Sequence, residues 1–195
     1  MDAAAATRAA ILDSARELFL ARGYSQVTVA QIAAAAGVAV QTVYSSAGGK
    51  TGILATLLQP VIDDATAAQT LGVLATTTDP GAVIDLTATD TRRVHEKHWD
   101  VLYGLLHDGV GEAAAIEVAN KATQACLRNL AQAADHLTTL HALRPALDRD
   151  TTLDILAFYF TTTSWFLLVG ERGWHFDRAQ AWLAHSARHA LLPTP

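Results

Sequence analysis

The chain of 195 residues has one cysteine, Cys126, which excludes an intramolecular disulfide. It lies among apolar neighbours in an apparent helix, so it reads first as a small buried hydrophobe and second as a redox sensor. Residues 1–7 have neither the basic start nor the apolar run of a signal peptide. No stretch holds the roughly 20 continuous apolar residues of a membrane span. Residues 153–169 come nearest, but they contain Thr161, Thr162, Thr163 and Ser164 and are bordered by charges. A core or interface helix is expected there, with no membrane, and a cytoplasmic location follows. No catalytic set appears, because the serines lack a strained elbow motif and no carboxylate pair stands out. Gly48-Gly49-Lys50-Thr51 is not a phosphate loop. That motif needs a glycine where Tyr44 stands, and a strand where a helix is predicted. Neither an enzyme nor a cofactor is expected.

What is present is apolar and helical. Hydrophobic residues make up 51%, which argues against disorder. The net charge of −5 does not suggest a general nucleic-acid binder, but its distribution is uneven. Residues 1–58 carry Arg8, Arg16, Arg22 and Lys50 against Asp2, Asp13 and Glu17. That balance is +1 and leaves −6 for the rest, the asymmetry of a DNA-binding head on an acidic body.

Residues 3–22 read as a first helix, with Ile11, Ala15, Leu18 and Phe19 on one stripe and Gly23 as its stop. The stretch 28–50 reads as two short helices around a tight turn. Thr28 is a predicted N-cap, with Gln31 placed for a capping box. Gly37 suits a left-handed stop, and Val38 plugs the turn. A helix over 40–46 then presents Gln41, Thr42 and Tyr44. This is a helix-turn-helix pattern, whose second helix enters the major groove. Lys50 begins a fourth helix with Ile53, Leu54, Leu57 and Leu58 on its apolar face. Pro60 predicts a kink in it, with the apolar pattern resuming to about Leu74. Residues 76–79 form a polar turn, and Pro80 suits the first position of a new helix. Beyond it the pattern predicts helices near 80–88, 89–108, 112–141, 149–171 and 177–191. The fold class is therefore all-α, with a head over 1–58 and a body over 59–195.

These residues carry a resemblance. The run Phe19-Leu20-Ala21-Arg22-Gly23-Tyr24 is followed by Val27-Thr28-Val29-Ala30-Gln31-Ile32-Ala33-Ala34-Ala35-Ala36-Gly37-Val38, then Thr42-Val43-Tyr44 and Lys50. Over about residues 8–58 the chain resembles the tetracycline-repressor (TetR) type of transcriptional regulator. The resemblance implies that Thr28 caps the second helix and reaches a phosphate. It implies that Val40, Gln41 and Thr42 face base edges, and that Tyr44 and Lys50 hold phosphates. Two departures stand out. Ala39 replaces the usual Ser, Thr or Asn cap, at a cost of about 1 kcal/mol. Ala47 replaces a usual aromatic ahead of a glycine-rich link, so a looser loop is expected over 46–49.

All eight histidines and all four tryptophans lie beyond residue 94, which is a composition suited to a cavity or a broad interface. Two clusters are candidate effector walls. The first is His95, Trp99, Tyr103 and His107. His95 and His98 can share a helix face, either solvated or lining a pocket, but no carboxylate completes a zinc spacing, so no metal is expected. The second cluster is Tyr159, Thr162 and Trp165, where the alternative is hydroxyls bonding back to their own helix. The resemblance implies a homodimer paired through the last two helices, binding near-palindromic double-stranded operator DNA and released by a small-molecule effector. A helical binding or interaction protein that has lost DNA reading is the alternative, and a metal-dependent helical enzyme a third reading.

Overall fold

The computed structural model describes residues 3–64, 70, 72–109 and 111–193. Among them all regular structure is helical. The chain forms two compact units, residues 1–62 with 99–122, and residues 63–98 with 123–195.

The first unit opens with α1, Ala3–Arg22, which buries Ile11, Ala15 and Phe19 completely. Leu18, expected on that stripe, is only half-buried. A single 3-10 turn, Tyr24–Gln26, leads to α2, Val29–Ala36. Its capping box is formed: the Gln31 N–H donates to Thr28 Oγ1 at 3.3 Å, and the Thr28 N–H donates to Gln31 Oε1 at 2.9 Å. At its end Gly37 is left-handed at φ 67°. The Val38 N–H reaches Ala33 O at 3.0 Å and the Gly37 N–H reaches Ala34 O at 3.3 Å, a Schellman stop. Helix α3, Val40–Ala47, and α4, Gly49–Ile62, complete the head. Ile32, Val43, Ile53, Leu54 and Leu58 close its core over Phe19. Pro60 lies inside α4, which ends two residues later at Ile62. The resumption expected over 61–74 lies partly outside the described residues. This unit also takes in α6, Trp99–Leu106, which buries Leu102 and Leu105, and the start of α7, Ala113–Thr139.

The second unit contains α5, Pro80–Lys97. Asp79 caps it through Gly81 N at 2.9 Å, and Pro80 sits in its first turn as expected. It is one helix, not two meeting at 88–89. The Thr87 and Thr91 hydroxyls fold back onto Val83 O and Thr87 O, so the polar run 87–91 stays helical. The break comes at His98 instead, where no glycine or proline marks it. There the Asp64 carboxylate binds both the Lys97 ammonium at 2.8 Å and the His98 ring at 2.7 Å.

The helix expected over 149–171 is also divided. Helix α8, Arg149–Phe160, stops at Thr161, whose backbone is extended at ψ 170°. A short α9, Thr162–Trp165, follows, and then a π-helical turn, Phe166–Glu171. The Thr161 hydroxyl donates to Ala157 O at 2.7 Å, and the Ser164 hydroxyl donates to Phe158 O. Hydroxyls that compete for helix carbonyls bend or interrupt helices. By length and hydropathy the run Arg149–Glu171 is the one among the described residues that reaches a membrane-span threshold, with 22% of its most apolar window buried. Helix α10, Phe176–Leu191, buries Ala179, Leu183, Ala187 and Leu191 and packs on α5 and α8.

Candidate nucleic-acid interface and body site

The short α3 is held by what it buries. Val43 and Ala47 go inward, so Val40, Gln41 and Tyr44 are left exposed. Thr42 is half-buried. Four of the six residues expected to read DNA, Thr28, Val40, Gln41 and Tyr44, are therefore solvent-facing. Val40 and Tyr44 are large apolar groups at 43% and 52% exposure, which is unusual outside an interface. As expected, Ala39 provides no side-chain bond to the start of α3.

The glycines after α3 form a specific turn, so the looseness expected over 46–49 does not describe it. Gly48 and Gly49 both adopt positive φ, at 72° and 68°. The Gly48 N–H closes α3 onto Tyr44 O at 3.0 Å. The Tyr44 ring lies over Gly49, and a Cβ there would come within 2.8 Å of Tyr44 Cε1. A bare Gly49 thus fixes where the Tyr44 ring rests. Ala47 is buried at 6% exposure, where a larger aromatic would need room.

Lys50 is not a free cation in this state. Its ammonium is 2.8 Å from Glu112 Oε1 and 4.2 Å from the centre of the Tyr24 ring, with the side chain 11% exposed. Burial raises the Tyr24 phenol above its ordinary value of 10.0. Thr28 is also engaged, because its hydroxyl and its N–H both serve the capping box. Glu112 stands 62 positions from Lys50, and no local signal in the sequence marks the pair. Gly49 was visible only as one of two adjacent glycines.

The residues expected to line an effector site divide between the two units. In the first unit Trp99, Tyr103 and His107 form a ladder, with ring centres 4.9 Å and 4.3 Å apart along α6. In the second, His95 is buried at 4% exposure and stacks on Trp165 at 5.4 Å. Tyr159 is half-buried and meets Phe158 edge-on, and Thr162 is half-buried. His98 is the C-cap of α5, three residues after His95, and its ring is bonded to Asp64. His95 Nδ1 faces Thr91 O at 2.7 Å. Burial, helped by the nearby His98, lowers the His95 imidazole from 6.5 to about 4, so it is neutral. Asp90 lies one turn earlier on α5. Its carboxyl is raised by burial, although the Thr70 hydroxyl donates to it at 2.8 Å. Cys126 is half-buried as a residue, yet burial pushes its thiol up to about 12, which makes it a poor nucleophile. The sequence marked neither Asp90 nor Phe176, whose ring centre lies 5.9 Å from that of Trp165.

Residues 11–57 match the bacterial regulatory proteins of the tetR family. No curated protein matches the chain. Among solved structures, NalD, the secondary repressor of the MexAB-OprM multidrug efflux pump in Pseudomonas aeruginosa, superposes with a TM-score of 0.76 at 22% identity and covers 100% of both chains. SmeT, solved as a triclosan complex, gives 0.68 at 18% identity over 96% of this chain and 92% of its own. The TetR family regulator PfmR from Thermus thermophilus gives 0.64 at 16% identity over 95% of each chain. The head thus matches the tetR family of bacterial regulatory proteins over residues 11–57, and the chain shares its fold over nearly its whole length with these solved regulators.

Proposed function

We propose that the protein is a homodimeric repressor that leaves a near-palindromic operator when a small molecule binds its body. The observation that carries this reading is the exposed face of α3, where Val40, Gln41 and Tyr44 project from a helix fixed by its buried Val43 and Ala47. Gln41 can bond an adenine edge bidentately, and the Thr42 methyl can meet a thymine methyl. Tyr44, Thr28 and Lys50 supply phosphate contacts, for which Lys50 exchanges Glu112 for DNA.

Pairing through α8, α9 and α10 is supported by exposed apolar side chains on this part of the chain, Phe158 at 72%, Leu167 at 48% and Trp182 at 48%. An interface covering them accounts for an apolar run that is so little buried within one chain. Two-fold pairing places two α3 helices about one turn of DNA apart. The covalent links between the two units are the chain after α4, the His98–Trp99 break and α7. An effector that prefers one spacing of the heads shifts the population between states. Such a regulator works in the cytoplasm, without a catalytic step.

The deciding experiment is a mobility-shift assay with DNA flanking the gene. A discrete, salt-sensitive complex is expected, and Tyr44→Ala and Lys50→Ala each weaken it. Unchanged binding in both variants refutes the assignment of these residues. Sedimentation as a 20.7 kDa species alone at micromolar concentration refutes the dimer. The efflux-pump role of NalD supports, by likeness only, a gene for export as the regulated target.

A further inference from the structure

The interior of the second unit contains a mismatch that packing alone does not explain. His95 Nε2 and Trp165 Nε1 are both buried and both lack a hydrogen-bond partner among the described residues. Their rings stack with centres 5.4 Å apart, and Phe176 borders Trp165. Buried polar atoms are nearly always paired, so two orphans on adjacent rings indicate a missing polar group.

The chemistry of that group can be worked out. Thr91 O only accepts, so His95 Nδ1, at 2.7 Å from it, carries the ring proton. In the neutral ring Nε2 then has a bare lone pair and needs a donor. Trp165 Nε1–H is a donor and needs an acceptor. A hydroxyl offers both from one atom. An ammonium or a carboxylate would have to enter as a charge among stacked rings, where desolvation is unfavourable. On the Trp165 side the aromatic Phe176 lies 5.9 Å away by ring centres, and Leu168, three residues on, is buried.

The backbone around Trp165 also departs from regular helix. Trp165 closes the four-residue α9, with the extended Thr161 before it and the π-helical turn Phe166–Glu171 after it. Such irregular turns are frequent at functional sites, because they can shift without unwinding a long helix.

We propose that His95 and Trp165 form the polar end of a site for a neutral, apolar small molecule bearing a hydroxyl, such as a phenol. The hydroxyl donates to His95 Nε2 and accepts from Trp165 Nε1–H, and the ligand body lies against the aromatic neighbours. The proposal rests on the effector reading above and names the ligand class.

The test is calorimetric titration of the full-length protein with para-ethylphenol and with its methyl ether, para-ethylanisole. The ether keeps the acceptor oxygen and loses the donor. The phenol is expected to bind about ten- to hundredfold more tightly, because the ether leaves His95 Nε2 unpaired. In His95→Phe that ratio falls to near one while ether binding is retained. His95→Gln, whose amide oxygen accepts, recovers part of the preference. If the variants do not fold, nitrogen-15 spectra of the unmodified protein decide: the His95 Nε2 resonance moves with the phenol and stays with the ether. Equal binding of the two compounds overturns the proposal. So does binding of neither, which would leave a resident water as the missing partner. Operator release is read separately by mobility shift. A hydroxyl preference without release keeps this site and removes the effector role. Release by compounds that show no such preference does the reverse.

Discussion

The head of the first unit and the interior of the second satisfy their polar groups in opposite ways. In the head the partners are local. Thr28 is capped by Gln31, and α2 is closed by Gly37 within five residues of Ala33. In the second unit several partners come from far along the chain, and two buried ring nitrogens have none among the described residues. Asp64 closes α5 from 33 and 34 positions away, and His95 and Trp165 are left unpaired. In the helix-turn-helix both ends of α2 are bonded locally, whereas the start of α3 at Ala39 has no side-chain cap. At the proposed ligand site, bonding capacity kept for a ligand would lower stability until that ligand binds.

The comparison can be broken most strongly through pH. The His95 imidazole sits at about 4 when folded against 6.5 ordinarily, so the unfolded chain takes up its proton first as pH falls. Its effect on stability is nil above about pH 6.5 and grows to a loss of about 3 kcal/mol by pH 4. Denaturant unfolding at pH 7 and about pH 4.5 checks this, with His95→Phe expected to lose that part of the slope. A pH response that is the same in both proteins would place the acid sensitivity elsewhere.

The next effect belongs to the head. Gly49→Ala forces a side chain into positive φ and against the Tyr44 ring. A loss of about 1–3 kcal/mol is expected, together with weaker DNA binding as the ring is displaced. Thermal unfolding and mobility shift on one preparation report both. Loss of stability with full DNA affinity would show that Tyr44 does not have to rest over residue 49.

Two smaller changes sharpen the contrast by improving the head. Ala39→Ser supplies the missing cap of α3 and should add about 0.5–1 kcal/mol, read by denaturant midpoint. Glu112→Gln releases Lys50 from its partner while keeping size. Since Glu112 is about half exposed, the pair is weak, and operator affinity should rise by about threefold at low salt. No change in affinity would mean that Lys50 stays with Tyr24 and does not meet a phosphate.

Head chemistry could be read from the sequence because it is local. The Thr28 and Gln31 spacing, the glycine at 37 and the uncapped Ala39 all act within one turn. The body was readable only as helical, with a break expected at 88–89 that is absent and breaks at His98 and Thr161 that were not expected. The expected break at 88–89 is absent, and there the Thr87 and Thr91 hydroxyls return to carbonyls one turn back. At His98 the real break depends on a carboxylate 34 positions away. The glycine link over 48–49 suggested slack, because composition does not show that a neighbouring ring lies over Gly49.

The sequence by itself determined the helix-turn-helix, since caps, turns and a 3.6-residue apolar period need only near neighbours. Tertiary structure decided which charges are already spent and which polar atoms are left over. Lys50 looked like a free phosphate clamp until Glu112 and Tyr24 were found beside it. His95 looked like one histidine among eight until Trp165 was found stacked on it, with a nitrogen unpaired on each ring. These pairings join residues 62 and 70 positions apart, and only packing, which carries no local pattern in the chain, brings such residues together.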